Sequence, residues 1–294
     1  MKKMELSKSE WKIKKELKRN NQRLTNLIRV NEMHTARLEN PMTYSRGEKY
    51  LDRAMVGCSG WFYWHWRDKF YPSTLSTNKW FNHYMRHFDT VELNAPFYNW
   101  PSINIVKSWL RQANNKKFCY TVKVSELITH IKRFKATKNM IKDFNYIADL
   151  LSEHMGCFLY QLPPSYKYTK SRLDNLVLQL NPLRRNVIEF RHKSWWNKAV
   201  YNSFAKNNII FCSVSSPNMP SELIKTTDEV YIRFHGTTKL YYHNYTKKEM
   251  LNWLEDIKKA NPARVWAYFN NDRQAYAIKN AKWFSKQVSK YLNL

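Results

Sequence analysis

Glycine is scarce, with five in 294 residues. No G-x-G-x-x-G or Walker-type loop occurs, so dinucleotide and P-loop folds, whose backbone must approach phosphate closely at glycine, are disfavoured. Cysteine is as rare. Cys58, Cys119, Cys157 and Cys212 form no C-x-x-C pair, which argues against a zinc knuckle; each lies in or at the end of an apolar run, as small buried thiols in a reducing compartment do. No apolar run approaches the ~18 residues of a membrane span, and the amino terminus is charged from Lys2 with no hydrophobic signal region. A cytoplasmic protein without a membrane partner is the expectation. Acidic residues are the remaining deficit: 23 Asp and Glu stand against 50 Lys and Arg, a formal net charge of +27.

Two readings of that charge stand side by side. Self-repulsion is tolerated best by a chain whose partner is a polyanion, and phosphate backbones are the usual one. The alternative is a solvated basic surface. Residues 1–54 carry a net +7, leaving +20 on the other 240, so the excess is not confined to a tail. Aromatics reach 16%, with 12 Trp and 19 Tyr; a cyclic ligand is weakly favoured, and large aromatic cores are the plainer explanation.

Residues 1–54 form a basic extension, helical or partly disordered. Trp11, Ile13, Leu17, Leu24 and Ile28 give helical spacing over Ser9–Val30, with a thin apolar face laid on the main domain or on an acidic partner. Pro41 to Arg53 reads as a linker. From Met55 the pattern becomes regular: eight short apolar runs, Met55–Cys58, Thr90–Leu93, Phe118–Val124, Cys157–Leu162, Val187–Phe190, Asn208–Val214, Glu229–Phe234 and Arg264–Phe269, separated mostly by amphipathic helices. Continuous rather than alternating apolar strands imply burial on both faces. An α/β fold follows, with a (β/α)8 TIM-like barrel of parallel strands over 55–294 ahead of a doubly wound open sheet.

These strands end in polar residues: Ser59, Glu92, Asn94, Lys123, Gln161, Glu189, Arg191, His192, Arg233, His235, Asn270 and Asp272. In a parallel barrel such ends share one face, where sites of this fold lie. Alternation puts Glu189 with Arg191, Arg233 with His235, and Asn270 with Asp272. Glu92 with Lys123, or Glu189 with Arg191, could each be a buried structural ion pair, but desolvating the whole set is costly and points to binding or catalysis. Arg191, Arg233, Lys123 and His130 suit a phosphate or carboxylate. Glu92, Glu189 and Asp272 with His192 or His235 suit acid/base work or a divalent metal, although no tight H-x-H or H-x-x-E motif supports a metal. Lys123 as a Schiff-base nucleophile ranks low, because carboxylate neighbours raise an amine's pKa. The Trp61–Trp66 cluster reads equally as an aromatic wall over the mouth or as loop packing.

The segments GCSGWFYWHWRDKFYP, FDTVELNAPFYNWP, FCYTVKVSELITH, FLYQLPPSY, IEFRHKSWW, VYIRFHG and VWAYFNND, in this order, resemble the YecE-like family, catalogued as domain of unknown function 72. The resemblance spans about 56–290 and implies a TIM barrel similar to those of the xylose isomerase and endonuclease IV type. It places family motif residues at Glu92, Asn94, Tyr98, Lys123, His130, Gln161, Glu189, Arg191, His192, Arg233, His235, Asn270 and Asp272. Two departures stand out: Ser215-Ser216-Pro217 replaces an Asp-Ser-Pro-like turn, so a mechanism needing that carboxylate or a full metal set is not supported, and Cys58 replaces a threonine. The leading functional expectation is a hydrolase-like enzyme on a phosphate-containing substrate, nucleic acid preferred, with Glu92, Lys123, Glu189, His192, His235 and Asp272 as chemical groups. Asn94, Tyr98, His130, Gln161, Arg191, Arg233, Asn270 and Trp61 would then be its binding groups. A non-catalytic nucleic-acid-binding protein, and an isomerase or lyase on a sugar or sugar phosphate using Lys123 and Glu189, are the alternatives.

Overall fold

The computed structural model describes residues 7–42, 47–113 and 116–292. Strands β1 (Ala54–Cys58), β2 (Thr90–Leu93), β3 (Cys119–Lys123), β4 (Met155–Gln161), β5 (Asn186–Glu189), β6 (Ile209–Ser215), β7 (Glu229–Phe234) and β8 (Arg264–Phe269) close in sequence order into one parallel barrel. Closure is made by β8 on β1, in register from Ala54↔Val265 to Cys58↔Phe269. The expected (β/α)8-type barrel is therefore present, each strand within two residues of its expected bounds. Among the described residues the helices are α1 (Lys8–Glu39), α2 (Trp80–Tyr84), α3 (Ala95–Tyr98), α4 (Ile103–Ala113), α5 (Lys138–Leu151), α6 (Lys170–Gln179), α7 (Lys198–Lys206), α8 (Lys247–Ala260) and α9 (Tyr276–Tyr291). The β6–β7 connection, 216–228, carries no helix.

The barrel interior is layered. Its amino-terminal end is sealed by Glu229, which accepts from Trp266 Nε1 at 2.6 Å, Arg264 Nη1 at 2.8 Å and Arg185 Nε at 3.1 Å. Above it Met55, Cys119, Cys157, Leu159 and Cys212 pack with Trp266 and Tyr268. Gly156 makes room for that indole: a Cβ there would meet Trp266 at 3.0 Å. Burial holds the thiols of Cys157 and Cys212 protonated, their pKa raised well above the ordinary value, as expected of packing cysteines. Tyr268 then bonds Thr90 Oγ1 at 2.6 Å and Thr121 Oγ1 at 2.9 Å. With one end sealed and the middle filled, the open end is where the strands finish.

Helix α1 starts at a capping box, Ser7 and Glu10 each satisfying the other's backbone N–H. Its position corrects one expectation. Trp11, Ile13, Leu17, Leu24 and Ile28 do not lie against the barrel; each is 58–61% exposed. The docked face is instead Asn26, Val30 and Met33, all buried. Asn26 Nδ2 donates to Tyr98 O at 2.8 Å and Asn26 Oδ1 accepts from Trp100 N at 2.9 Å. Arg29 Nη1 donates to Trp100 O at 3.0 Å and Arg37 Nε to Asp143 at 2.8 Å. Polar anchors choose the face because Tyr98 and Trp100 end a short helix that offers unpaired backbone groups. The linker described from Gly47 runs under the sealed end, where Tyr50 stacks on His154 at 4.5 Å; Pro41 and Met42 are also described, and 43–46 lie outside the described residues.

Asn26→Ala takes the partner from a buried N–H and a part-buried C=O, and we expect it to lower unfolding stability by about 1–3 kcal/mol. Urea denaturation measures this; an unchanged midpoint would show that the anchor lies elsewhere on α1.

Candidate functional site

Arg233, near the end of β7, is the pivot of the mouth. Its Nη1 donates to Glu189 Oε2 at 2.5 Å and its Nη2 to Glu92 Oε1 at 2.5 Å. Tyr231 OH donates to Glu92 Oε2 at 2.6 Å, and Arg191 Nε pairs with Glu189 Oε1. Both carboxylates have 0% exposure. Burial alone would raise the pKa of Glu189, but Arg191 and Arg233 outweigh it and hold the carboxylate well below its usual range. The expected pairings of Glu189 with Arg191 and Arg233 with His235 on inward faces are thus found, while Glu92 pairs with Arg233 rather than with Lys123.

Two imidazoles stay neutral here. His235 is fully buried; burial, then Arg191 and Arg233, lower its pKa to about 3. Its Nε2 lies 2.9 Å from Arg191 Nη2 and 3.3 Å from Glu189 Oε1, and its Nδ1 faces the Asn270 Nδ2 donor at 3.2 Å. His130 sits on a single π-helical turn, Leu127–Ile131, where burial and Lys123 lower its pKa to about 4. Phe97 packs edge-on against it at 4.9 Å, and the same ring lies 4.1 Å from Lys123 Nζ.

Lys123 overturns the sequence argument about its basicity. Glu92 and Glu189 are already bound by guanidinium groups, so burial and Arg233 dominate and its pKa falls to about 7. Two carboxylates and two arginines cancel; an ammonium would be a fifth, uncompensated charge in a low-dielectric site.

Above this floor lies an open cavity of about 320 Å³. Lys123, Arg191, Arg233, Asn94, Gln161 and Asn270 line it, with Tyr98 and Asp272 on the rim. Asn94 Nδ2 donates to Ser59 O at 3.1 Å, and its buried Oδ1 finds no partner among the described residues. Asp272, its pKa raised by burial, sits 3.4 Å from His65 Nε2. Arg233, though it contributes to the lining, is 1% exposed and so is held chiefly as a structural cation.

Two expected residues are not brought in. His192 caps its own turn, accepting from Ser194 N at 3.2 Å, and lines a separate cleft of about 420 Å³ with Pro164 and Pro217. Trp61 packs on Phe62 and Phe81, so the aromatic cluster is packing at that position rather than a wall. Conversely, Tyr63, a member of the Trp61–Trp66 cluster, does line the cavity, as does Tyr241, which no motif singled out. Tyr63 lies inside the first aromatic motif, but Tyr241 comes from the loop after β7, where no pattern marks it. Ser215, in place of the acidic residue, is buried under Tyr245, whose OH lies 2.8 Å from its Oγ.

A divalent metal does not fit this donor set. Glu92 and Glu189 spend their oxygens on Arg233, Tyr231 and Arg191, His235 is locked by Arg191 and Asn270, and among the described residues no three His, Cys, Asp or Glu converge.

An eight-stranded parallel barrel with a buried, arginine-neutralised acid pair under an open polar mouth defines the class. Within it, residues 55–293 match the family described as protein of unknown function DUF72, and the chain belongs to that family. It is similar to the UPF0759 protein YunF of Bacillus subtilis (strain 168), 25% identical over 263 residues, covering 77% of this chain and 92% of that one. A DUF72 family protein of Thermotoga maritima MSB8 superposes with TM-score 0.73 at 27% identity, covering 81% of this chain and 100% of the other. A second, from Enterococcus faecalis V583, gives TM-score 0.64 at 21% identity over 82% and 96% and supports the fold alone. Among the described residues no helix is long and apolar enough to cross a membrane.

Arg233→Met would strand two buried carboxylates, and we expect a loss of about 3–5 kcal/mol in unfolding free energy, more than Arg191→Met at the rim. Chemical denaturation of the two variants checks the order; equal midpoints would remove Arg233 from its place as pivot.

Proposed function

We propose that the protein is an enzyme acting on a phosphate-containing substrate at the barrel mouth, through the Lys123 amine. The observation that carries the reading is that amine, its pKa lowered to about 7, lining an open cavity beside Arg191 while both neighbouring carboxylates are neutralised beneath it. Near neutrality such a group exists in both protonation states and can take or return a proton at low cost. Arg191 offers the phosphate a cation, and the overall charge of +27 favours its approach. Of the reactions considered, isomerisation or lysis of a sugar phosphate uses what the mouth contains. Hydrolysis of a phosphodiester would need a metal or a free carboxylate acid/base pair, and the floor supplies neither.

The uncompensated Lys123 charge links anion binding to pH. Below about 7 the ammonium is present and attracts the anion; as pH rises through that value it is lost. His130 and His235, titrating at about 4 and about 3, are neutral throughout this range. We expect sulfate, a dianion at all these pH values, to bind more weakly as pH rises through about 7, and Lys123→Met to abolish the dependence. Calorimetry reads the affinity, and nuclear magnetic resonance reads interconversion or cleavage of aldose and ketose phosphates. Sulfate binding that ignores both pH and the variant, together with no turnover, would overturn the proposal; released inorganic phosphate would favour the hydrolase instead.

A further inference from the structure

We infer that Lys123 forms a covalent imine with the carbonyl carbon of a phosphate-bearing aldehyde or ketone, which rests on the reading of the mouth as a phosphate site. The geometry suits it. Among the described residues Lys123 makes no salt bridge, because the oxygens of Glu92 and Glu189 are taken by Arg233, Tyr231 and Arg191. Its Nζ is held over the Phe97 ring at 4.1 Å and lines the cavity, so the amine is desolvated on one side and open on the other. Arg191 shares that lining and can hold the phosphate, while the unpartnered Oδ1 of Asn94 can accept from a substrate hydroxyl.

The step balances without a further reactant. The nitrogen lone pair forms the C–N bond as the C=O π pair moves to oxygen; that oxygen takes the proton lost by nitrogen to give a carbinolamine. A second proton, taken as hydronium from bulk solvent, lets the oxygen leave as water while the nitrogen lone pair closes the C=N bond, so amine, carbonyl and one proton give the iminium and water. The cationic imine is an electron sink for loss of a proton or cleavage of a carbon–carbon bond next to it.

The experiment incubates the full chain with D-glyceraldehyde 3-phosphate and cyanoborohydride near neutral pH and maps reduced adducts by peptide mass spectrometry. We expect adduct at Lys123 to dominate over the surface lysines and to fall at least tenfold in Arg191→Met. Labelling spread over surface lysines with Lys123 unmodified would overturn the imine. Parallel calorimetry of the same compound, without reductant, separates the two failures. Binding that Arg191→Met weakens, with no Lys123 adduct, removes the imine alone; no binding removes the phosphate site as well.

A different observation carries a second inference. On α1 the residues Ile13, Leu17, Leu24, Leu27 and Leu38 are 45–61% exposed and fall at the a and d positions of a heptad repeat, with Asn20 and Asn31 at two of the others. This seam lies off the face that Asn26, Val30 and Met33 dock on the barrel, and the barrel meets it only at its remaining position, His34, which pairs with Asp143 at 3.0 Å. We propose that α1 pairs with α1 of a second copy of this chain. The seam is self-complementary in either direction: parallel helices match each Asn with itself, and antiparallel helices match Asn20 with Asn31 and Leu24 with Leu27. Such amide layers cost stability but set register and oligomer size.

Sedimentation equilibrium of the full chain at micromolar concentration should give twice 35.6 kDa. Leu17→Glu with Leu24→Glu, both on the exposed side, should give a monomer with unchanged circular dichroism. A monomeric parent, or a dimer indifferent to that pair of substitutions, would overturn the seam.

Discussion

Arg233 stands between two buried carboxylates, and the mouth is built on that arrangement. Glu92 and Glu189 arrive from β2 and β5, three strands apart around the barrel, each with no exposure, and the two ends of one guanidinium reach both at 2.5 Å. Planar, forked geometry is what allows one side chain to join them; a lysine could neutralise one carboxylate but not hold both. Tyr231, on β7 with Arg233, and Arg191, two residues past the end of β5, complete the pairing. Removing any guanidinium from this set would leave a charge where water cannot reach it.

The same neutralisation shapes the chemistry above it. Had the carboxylates been free, Lys123 would be an ordinary ammonium and the floor a plausible metal cradle. Because they are spent on arginine, the amine feels burial and like charge more than attraction; burial keeps His235 and His130 neutral, reinforced by Arg191 and Arg233 at the first and by Lys123 at the second. The mouth therefore presents a cation-rich lining with Asp272 as its one lining carboxylate among the described residues. An anionic ligand would supply the charge that the protein itself leaves out.

Charge and hydrophobic pattern on α1 follow a separate logic. Its anchors are amide and guanidinium groups satisfying the chain end of α3 and Asp143, which leaves the larger apolar side chains outward. The periodicity that identifies the helix does not say which side is buried, since polar residues can dock where a neighbour offers unpaired backbone groups.

Much of this was legible beforehand. Eight continuous apolar runs with polar ends specify strands buried on both faces, and strand alternation placed Glu189 with Arg191 and Arg233 with His235, because these are local properties of a two-residue period. The ordered motifs identified the family. Partner choice was not legible: Glu92 and Arg233 are 141 residues apart, and nothing local says that Glu92 bonds Arg233 rather than Lys123. His192 and Trp61 were misplaced for a related reason, since a turn after the strand end redirects each side chain away from the axis. Sequence alone thus determined the barrel, its open end and most residues that gather there. Only the tertiary structure decided which charges cancel, and so which amine is left to titrate near neutrality, because electrostatic energy depends on distances and burial that closing the barrel creates.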